Sequence, residues 1–264
     1  MCLILFSFRA HRHFPLVVAA NRDEHYKRPA APAAFWDDQP EIYGGRDLEK
    51  GGTWMALHRN GRFAAITNFR LGLPGPAAPR SRGELVSAFL SSNEDGGKFF
   101  QNVSQRDNAY NPYSMIAGDL SALSFYSNQA QVVTSITPGV HGLSNHLLDT
   151  PWPKVRQGIA VVDATRDLDD PDAISAGLFA MLADRGIAAD PALPDTGIPR
   201  QRERELSPAF ITGDHYGTRT SSVLLVHASG EVFFHEKRFG PGGTALGEDA
   251  RAFRLQAAAT AVSG

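Results

Sequence analysis

Strand-type and helix-type apolar patterns occupy separate blocks of this chain, and that segregation most constrains its fold. Residues 2–8 form one apolar run, and Pro15 to Ala20 form a second. Residues 53–58 and 62–69 flank Asn60-Gly61, a turn suited to a type I′ hairpin because both positions tolerate positive φ. The Pro- and Ala-rich stretch between these pairs, residues 29–40, reads as loop. Helical spacing starts only after residue 80. Ser81 with Glu84 reads as a capping box, followed by Leu85, Val86, Phe89 and Leu90 on one face. Residues 113–119, 122–127 and 131–136 return to strand patterns. Thr150-Pro151 opens a second helix with Val155, Ile159 and Val162 aligned. Asp170-Pro171 opens a third, with Ile174, Leu178, Met181 and Leu182 inward and Gly186 as its stop. A proline-rich connection over 189–200 leads to two more strands, 220–228 and 231–236, joined across Ser229-Gly230. Strands segregated from helices predict an α+β fold, not alternating βαβ units. No repeat or composition shift divides the chain, so residues 1–264 read as one domain.

Composition narrows the function classes. Twenty-six basic residues against 28 acidic ones give a net charge of −2, which argues against a nucleic-acid binder relying on phosphate contacts. No apolar run approaches the roughly 18 residues of a membrane-spanning helix, so integral membrane association is not expected. The apolar run after Cys2 is too short for a secretion signal, lacks a preceding basic residue and is followed by Arg9 and Arg12. A buried strand and a cytoplasmic protein are the expectation. One cysteine excludes an internal disulfide framework and zinc sites built on several cysteines. Nine histidines contain no H-E-x-x-H pattern, and His11 and His13 fall in an expected turn, so no metal site is expected. Haem ligation by Cys2 or a histidine stays open from spacing alone.

Position 2 gives the cysteine its interest. A buried small residue at a strand start is the plain reading of a free cysteine. Removal of Met1, usual when the second side chain is small, would leave a thiol and a free α-amine on one residue. An amine with a pKa near 7.7–8.0 can act as a general base at neutral pH, and an adjacent base activates a thiol. Asn21-Arg22-Asp23-Glu24 follows the second apolar run. It reads either as a solvated turn or as an Arg/Asp pair at a strand end, the arginine favouring a thiolate and the aspartate holding the terminal ammonium. Gly44-Gly45-Arg46-Asp47 and Gly51-Gly52-Thr53-Trp54 read as turns or as backbone open to a ligand. Asn68, in Thr67-Asn68-Phe69-Arg70, is a turn former or an amide donor for an oxyanion. Gly142-Leu143-Ser144-Asn145-His146 and Tyr216-Gly217-Thr218-Arg219 complete the set.

Together these segments resemble the NRDE family, also called the transport and Golgi organisation protein two family, over about residues 1–239. That family in turn resembles N-terminal-nucleophile hydrolases of the cysteine branch containing penicillin V acylase and bile-salt hydrolase. The resemblance implies a four-layer αββα sandwich of two antiparallel sheets. It implies Cys2 as nucleophile, Arg22 and Asp23 beside it, Asn68 at the oxyanion, Asn145 near the terminal amine and Arg219 supporting the cysteine. Asn21, Glu24, Arg46, Trp54 and Arg70 are expected around the ligand. The implied activity is hydrolysis of a non-peptide amide or a thioester, with no cofactor required. The same resemblance implies a different role, haem mobilisation or the handling of acyl-CoA and other lipids, with the cleft as a binding groove. Loops 29–40, 71–80 and 189–200 would set specificity.

Overall fold

A computed structural model describes residues 2–73, 75–76 and 78–256. In chain order its elements are β1 (Cys2–Phe8), β2 (Leu16–His25), β3 (Ala30–Phe35), β4 (Ile42–Asp47), β5 (Met55–His58), β6 (Phe63–Asn68), α1 (Gly83–Leu90) and α2 (Gly96–Ser104). There follow β7 (Tyr113–Gly118), β8 (Leu123–Ser127), β9 (Thr134–Ile136), β10 (Gly139–Leu143), α3 (Pro153–Ala164), α4 (Pro171–Leu182) and α5 (Arg200–Glu205). The last are β11 (Tyr216–Val226), β12 (Glu231–Phe239) and β13 (Ala245–Arg254).

The apolar runs are nearly continuous because both faces of the central strands are buried. In β1, Ile4, Phe6 and Phe8 face one core while Leu3 and Leu5 face another. β2 divides the same way, with Leu16, Val18 and Ala20 against Val17 and Ala19. The first sheet runs β10-β1-β2-β11-β12-β13 and the second β3-β4-β5-β6-β7-β8-β9, with antiparallel neighbours throughout. A core joining Ile4, Phe6 and Val18 to Tyr43, Phe63 and Ile116 lies between the sheets. α1 and α2 cover the outer face of the second sheet through Val86, Phe89 and Phe100. α3 and α4 cover the first through Val155, Ile174 and Leu178. Helix, sheet, sheet, helix is the four-layer αββα sandwich that the resemblance implied. Each large side chain buried in these layers contributes about 1.5–3 kcal/mol of transfer free energy.

Several boundaries differ from expectation. The stretch read as loop contains β3, an edge strand whose register shifts between Ala31 and Ala34, around Pro32. Proline is tolerated there because an edge or bulge needs no ladder donor. Gly44-Gly45-Arg46-Asp47 lies within β4, and Gly45 packs under Trp54, where a Cβ would meet the indole at 2.2 Å. The tetrad is inside β2, and Tyr216-Gly217-Thr218-Arg219 inside β11, because the two strands pair with each other over that length. Ser81 forms no capping box: α1 has Arg82 at its N-cap without a side-chain bond, and Glu84 instead accepts from Tyr110 Oη at 2.6 Å. β10, β13, α2 and α5 were not anticipated. None of the described helices is long and apolar enough to cross a membrane.

Candidate functional site

Antiparallel order brings one end of the sandwich together from distant sequence. Cys2 starts β1 and pairs with Arg22 of β2, whose other neighbour is Thr220 of β11. The segment after β10 is laid across this end and ties the sheets to each other. Ser144 Oγ donates to the Cys2 carbonyl at 3.2 Å, and Thr67 Oγ1 donates to the Ser144 carbonyl at 2.6 Å. Asn145 Nδ2 donates to the Asn68 carbonyl at 2.9 Å, while the Arg70 N–H donates to the Asn145 carbonyl at 2.7 Å. Asn145 is fully buried, so its amide acts as a brace between β6 and β10.

Period-two alternation splits the tetrad. Cys2 and Arg22 share the face between the sheets, and the Arg22 guanidinium lies 4.3 Å from the Trp54 ring centroid. Asn21 and Asp23 point to the helix side. Asn21 is 1% exposed and saturated: Nδ2 donates to the Leu182 and Ala209 carbonyls at 2.8 Å, and Oδ1 accepts from Ser221 at 2.6 Å. It is a structural brace, contrary to the ligand contact expected of it. Asp23 is also buried and accepts from Thr218 Oγ1 at 2.7 Å.

The cleft at this end encloses about 580 Å³. Its wall carries Phe69, Leu71, Leu73, Pro112, Ile198 and Leu206. Its polar groups include Glu24, Asn68, Asn145, Arg82, Arg202 and Tyr216. Arg70 also lines it, but its guanidinium pairs with Glu203 in a buried ion pair and lies 4.7 Å from the Trp152 ring centroid. Arg46 is elsewhere. It pairs with Asp38 at 2.7 Å, donates to the Gly51 carbonyl at 2.6 Å and stacks 4.0 Å from the Trp36 centroid, on the outer side of the second sheet. The expectation that Arg46 meets the ligand is therefore corrected. Arg219 sits at the register shift of β11 and donates to the His25 and Arg28 carbonyls at 3.1 and 2.6 Å. It braces the exit of β2 and makes no hydrogen bond to Cys2.

Electrostatics divide the site into a neutral thiol and a charged surround. Burial pushes the Cys2 thiol above its ordinary value; the Asp23 carboxylate adds to this, while the Asp23 backbone N–H and Arg22 oppose it. Burial also raises the Asp23 carboxyl, with Lys154, the Thr218 hydroxyl and Arg70 pulling it back. Tyr216, whose hydroxyl donates to the Asp23 carbonyl at 3.2 Å, is raised by burial and by Asp23. Such a thiol is mostly protonated at neutral pH, so nucleophilic attack needs a base.

Four residues here escaped the sequence reading: Arg82, Arg202, Glu203 and Lys154. Lys154 left a usable signal, because it falls in the buried stripe of α3 with Val155, Gly158 and Val162. Arg82, Arg202 and Glu203 lie beside loops whose path no local pattern sets. Among the described residues no three His, Cys, Asp or Glu side chains converge as a metal would need.

Comparison with known proteins follows the same outline. The family model "Transport and Golgi organisation 2" matches residues 1–241. The chain is 37% identical to the Bos taurus Transport and Golgi organization protein 2 homolog, over 97% of this chain and 100% of that protein. It is 34% identical to the Homo sapiens homolog, over 90% and 92% respectively. Among solved structures it is similar to the C2A mutant of conjugated bile acid hydrolase from Clostridium perfringens, at 8% identity and a TM-score of 0.47, covering 97% of this chain and 92% of that one. It is also similar to a Caenorhabditis elegans N-acylethanolamine-hydrolyzing acid amidase ortholog, at 9% identity and a TM-score of 0.46, covering 85% and 92%. By family model and by identity along nearly its whole length, this chain belongs to the Transport and Golgi organisation 2 family.

Proposed function

We propose that this chain is a thiol hydrolase of the N-terminal-nucleophile type, in which Cys2, with Met1 removed, attacks the carbonyl of a non-peptide amide or a thioester. The observation that carries this reading is the meeting of Cys2, Arg22, Asp23, Asn68 and Asn145 at one end of the sandwich, with the two asparagines on the wall of an apolar cleft. The raised thiol needs a base, and the freed α-amine of Cys2 is one of suitable pKa. The amine takes the thiol proton as sulfur bonds to the carbonyl carbon. Asn68 and nearby backbone N–H groups hold the oxyanion, at about 2.7–4 kcal/mol per donor. The amine then gives its proton to the departing amine or thiol, leaving an acyl-Cys2 thioester. Water attacks this thioester, releases the carboxylic acid and returns the thiol.

The same cleft favours a second reading, a non-catalytic carrier. Its apolar wall suits an acyl chain or a haem face, Arg82 and Arg202 suit a carboxylate or phosphate, and His25 offers an imidazole. A thiol held neutral by burial needs no free amine for this role. In either case we infer a cytoplasmic site of action, where a thiol stays reduced.

The test is a panel of acyl thioesters and amides run with wild type and Cys2→Ala, alongside intact mass of protein from its native host. The hydrolase reading expects a mass lacking Met1, turnover in wild type, none above background in Cys2→Ala, and ligand affinity retained in that variant. Turnover that persists without the thiol, or a mass retaining Met1, would sink it in favour of the carrier.

A further inference from the structure

The cleft opens between two loops whose backbones are tied together. The Phe69 N–H donates to the Pro112 carbonyl at 2.9 Å, the Arg70 N–H to the Asn145 carbonyl at 2.7 Å, and the Gly72 N–H to the Thr196 carbonyl at 2.7 Å. Gly72 and Gly197 both take left-handed φ, 64° and 79°, and a Cβ on Gly197 would stand 3.4 Å from the Gly72 Cα. Residues 71–73 are therefore fixed against 196–198. Leu71 is nevertheless 64% exposed and Leu73 72% exposed, although both line the cleft. Ile198, half-buried, lines it from the second loop. Two leucines held in water by a pinned backbone, at the lip of an apolar cavity, mark an interaction surface.

The geometry points to a membrane-docking lip: Leu71 and Leu73 enter the acyl region of a phospholipid bilayer, so that the cleft opens towards lipid instead of water. The inference goes beyond both readings of the cleft and holds for hydrolase and carrier alike.

Two observations favour a bilayer over a protein partner. First, the exposed apolar surface continues inward. Leu71, Leu73, Ile198, Phe69 and Leu206 line one cavity of about 580 Å³, so a chain leaving the bilayer meets apolar wall without crossing water. Second, the lip leans towards positive charge. No acidic residue occurs between Arg70 and Gly83, a stretch that includes Arg80 and Arg82. Arg82 lines the cleft, donates to the Pro112 carbonyl at 2.9 Å and, among the described residues, pairs with no carboxylate. Arg202 also lines it, and its partner Glu205, at 2.8 Å, is an exposed carboxylate. Glu24 opposes them from the same cleft. Apolar insertion together with basic side chains is the pair of signals that reversible binding to an anionic bilayer uses.

Flotation with phosphatidylcholine vesicles containing about 30% phosphatidylserine tests the lip. Wild type should float with them, and bind vesicles of phosphatidylcholine alone about tenfold more weakly. Leu71→Asp with Leu73→Asp should lower partitioning about 100-fold, about tenfold per leucine. Ile187 and Leu246, each 64% exposed, lie outside the cleft. Ile187→Asp with Leu246→Asp should therefore stay within about twofold of wild type. In Leu73→Trp, lipids brominated on the acyl chain should quench the new indole, which reports insertion directly. Wild type that floats with neither vesicle would overturn the inference. So would an equal loss in the two double variants, or an unquenched indole. Binding abolished by about 0.5 M NaCl yet untouched by Leu71→Asp with Leu73→Asp would also overturn it, as headgroup attraction without insertion. Flotation needs no turnover. Vesicle binding without turnover of any thioester or amide therefore refutes only the hydrolase, and Cys2-dependent turnover of a short soluble thioester by protein that never floats refutes only the lip.

Discussion

Asn21→Ala separates a brace from a ligand contact within four consecutive residues. The Asn21 side chain makes three hydrogen bonds in a dry environment, two from Nδ2 to the Leu182 and Ala209 carbonyls and one accepted from Ser221. Leu182 ends α4, so its carbonyl has no continuing helical partner. Truncation leaves two carbonyls and a hydroxyl short of a partner, each costing about 1 kcal/mol or somewhat more. The sum, about 3–4 kcal/mol, corresponds to a fall in Tm of roughly 10 °C for a chain of this size. Urea unfolding followed by tryptophan fluorescence, with a thermal scan, measures it. At 20 °C, well inside the native range, ligand affinity and the alkylation rate of Cys2 should stay within about twofold of wild type, because the side chain faces the helices and not the cleft. A Tm within about 2 °C of wild type, coupled to lost ligand affinity, would refute the assignment and return Asn21 to the ligand.

Glu203→Gln should be costly, because Arg70 would lose its carboxylate partner while staying buried. A loss of about 3–5 kcal/mol is expected by urea unfolding, with faster proteolysis within residues 189–206, since Glu203 also accepts from the Thr196 N–H at 3.1 Å. Arg70→Met with Glu203→Leu should cost less than Glu203→Gln alone; an equal or greater loss would show that the charges themselves are needed. His141 carries a pH signature. Its hydrogen bond to Asp149 at 2.7 Å raises its pKa above the ordinary 6.5. The pair's stability is thus fully present below about pH 6.5 and lost as pH rises through the higher folded value. Asp149→Asn should flatten that dependence between pH 5.5 and 9 in denaturation curves, and an unchanged slope would rule the pair out as its source.

How much of this was legible in the sequence follows from the range of each signal. Val17-Val18-Ala19-Ala20 and Val223-Leu224-Leu225-Val226 announced central strands, because burial on both faces leaves an unbroken apolar run. Period 3.6 announced α3 and α4 with their inward residues. By contrast, β3 and β13 are edge strands, each paired on one side only, and β13 is exposed over nearly all its length, so neither shows an apolar alternation. The Gly-rich β4 was hidden because Gly45 makes room for Trp54 and Gly44 for Met55 and Ala56 of the adjoining strand, a tertiary demand invisible locally. Cys2 was found from its position directly after Met1, and Arg22 and Asp23 because they sit where an apolar run ends in charge. Glu203 and Arg82 were not, because a charge on a short helix or at a helix start looks like a surface charge until its partners are known.

The tetrad shows why a motif found as a unit need not act as one. Along β2 successive side chains alternate faces, and each of the four has its own set of partners. Asn21 seals α4 and the 209 carbonyl, Arg22 lies between the sheets against Trp54, Asp23 joins Thr218 on the helix side, and Glu24 reaches the cleft. A one-residue slip of β2 against β1 would exchange these faces, burying Arg22 under the helices and aiming Asn21 between the sheets. The pairing of Cys2 with Arg22 therefore rests on register, and the register rests on the apolar residues from Leu16 to Ala20 that divide between the two cores. The hydrophobic alternation that builds the sandwich is what sets the charge beside the thiol.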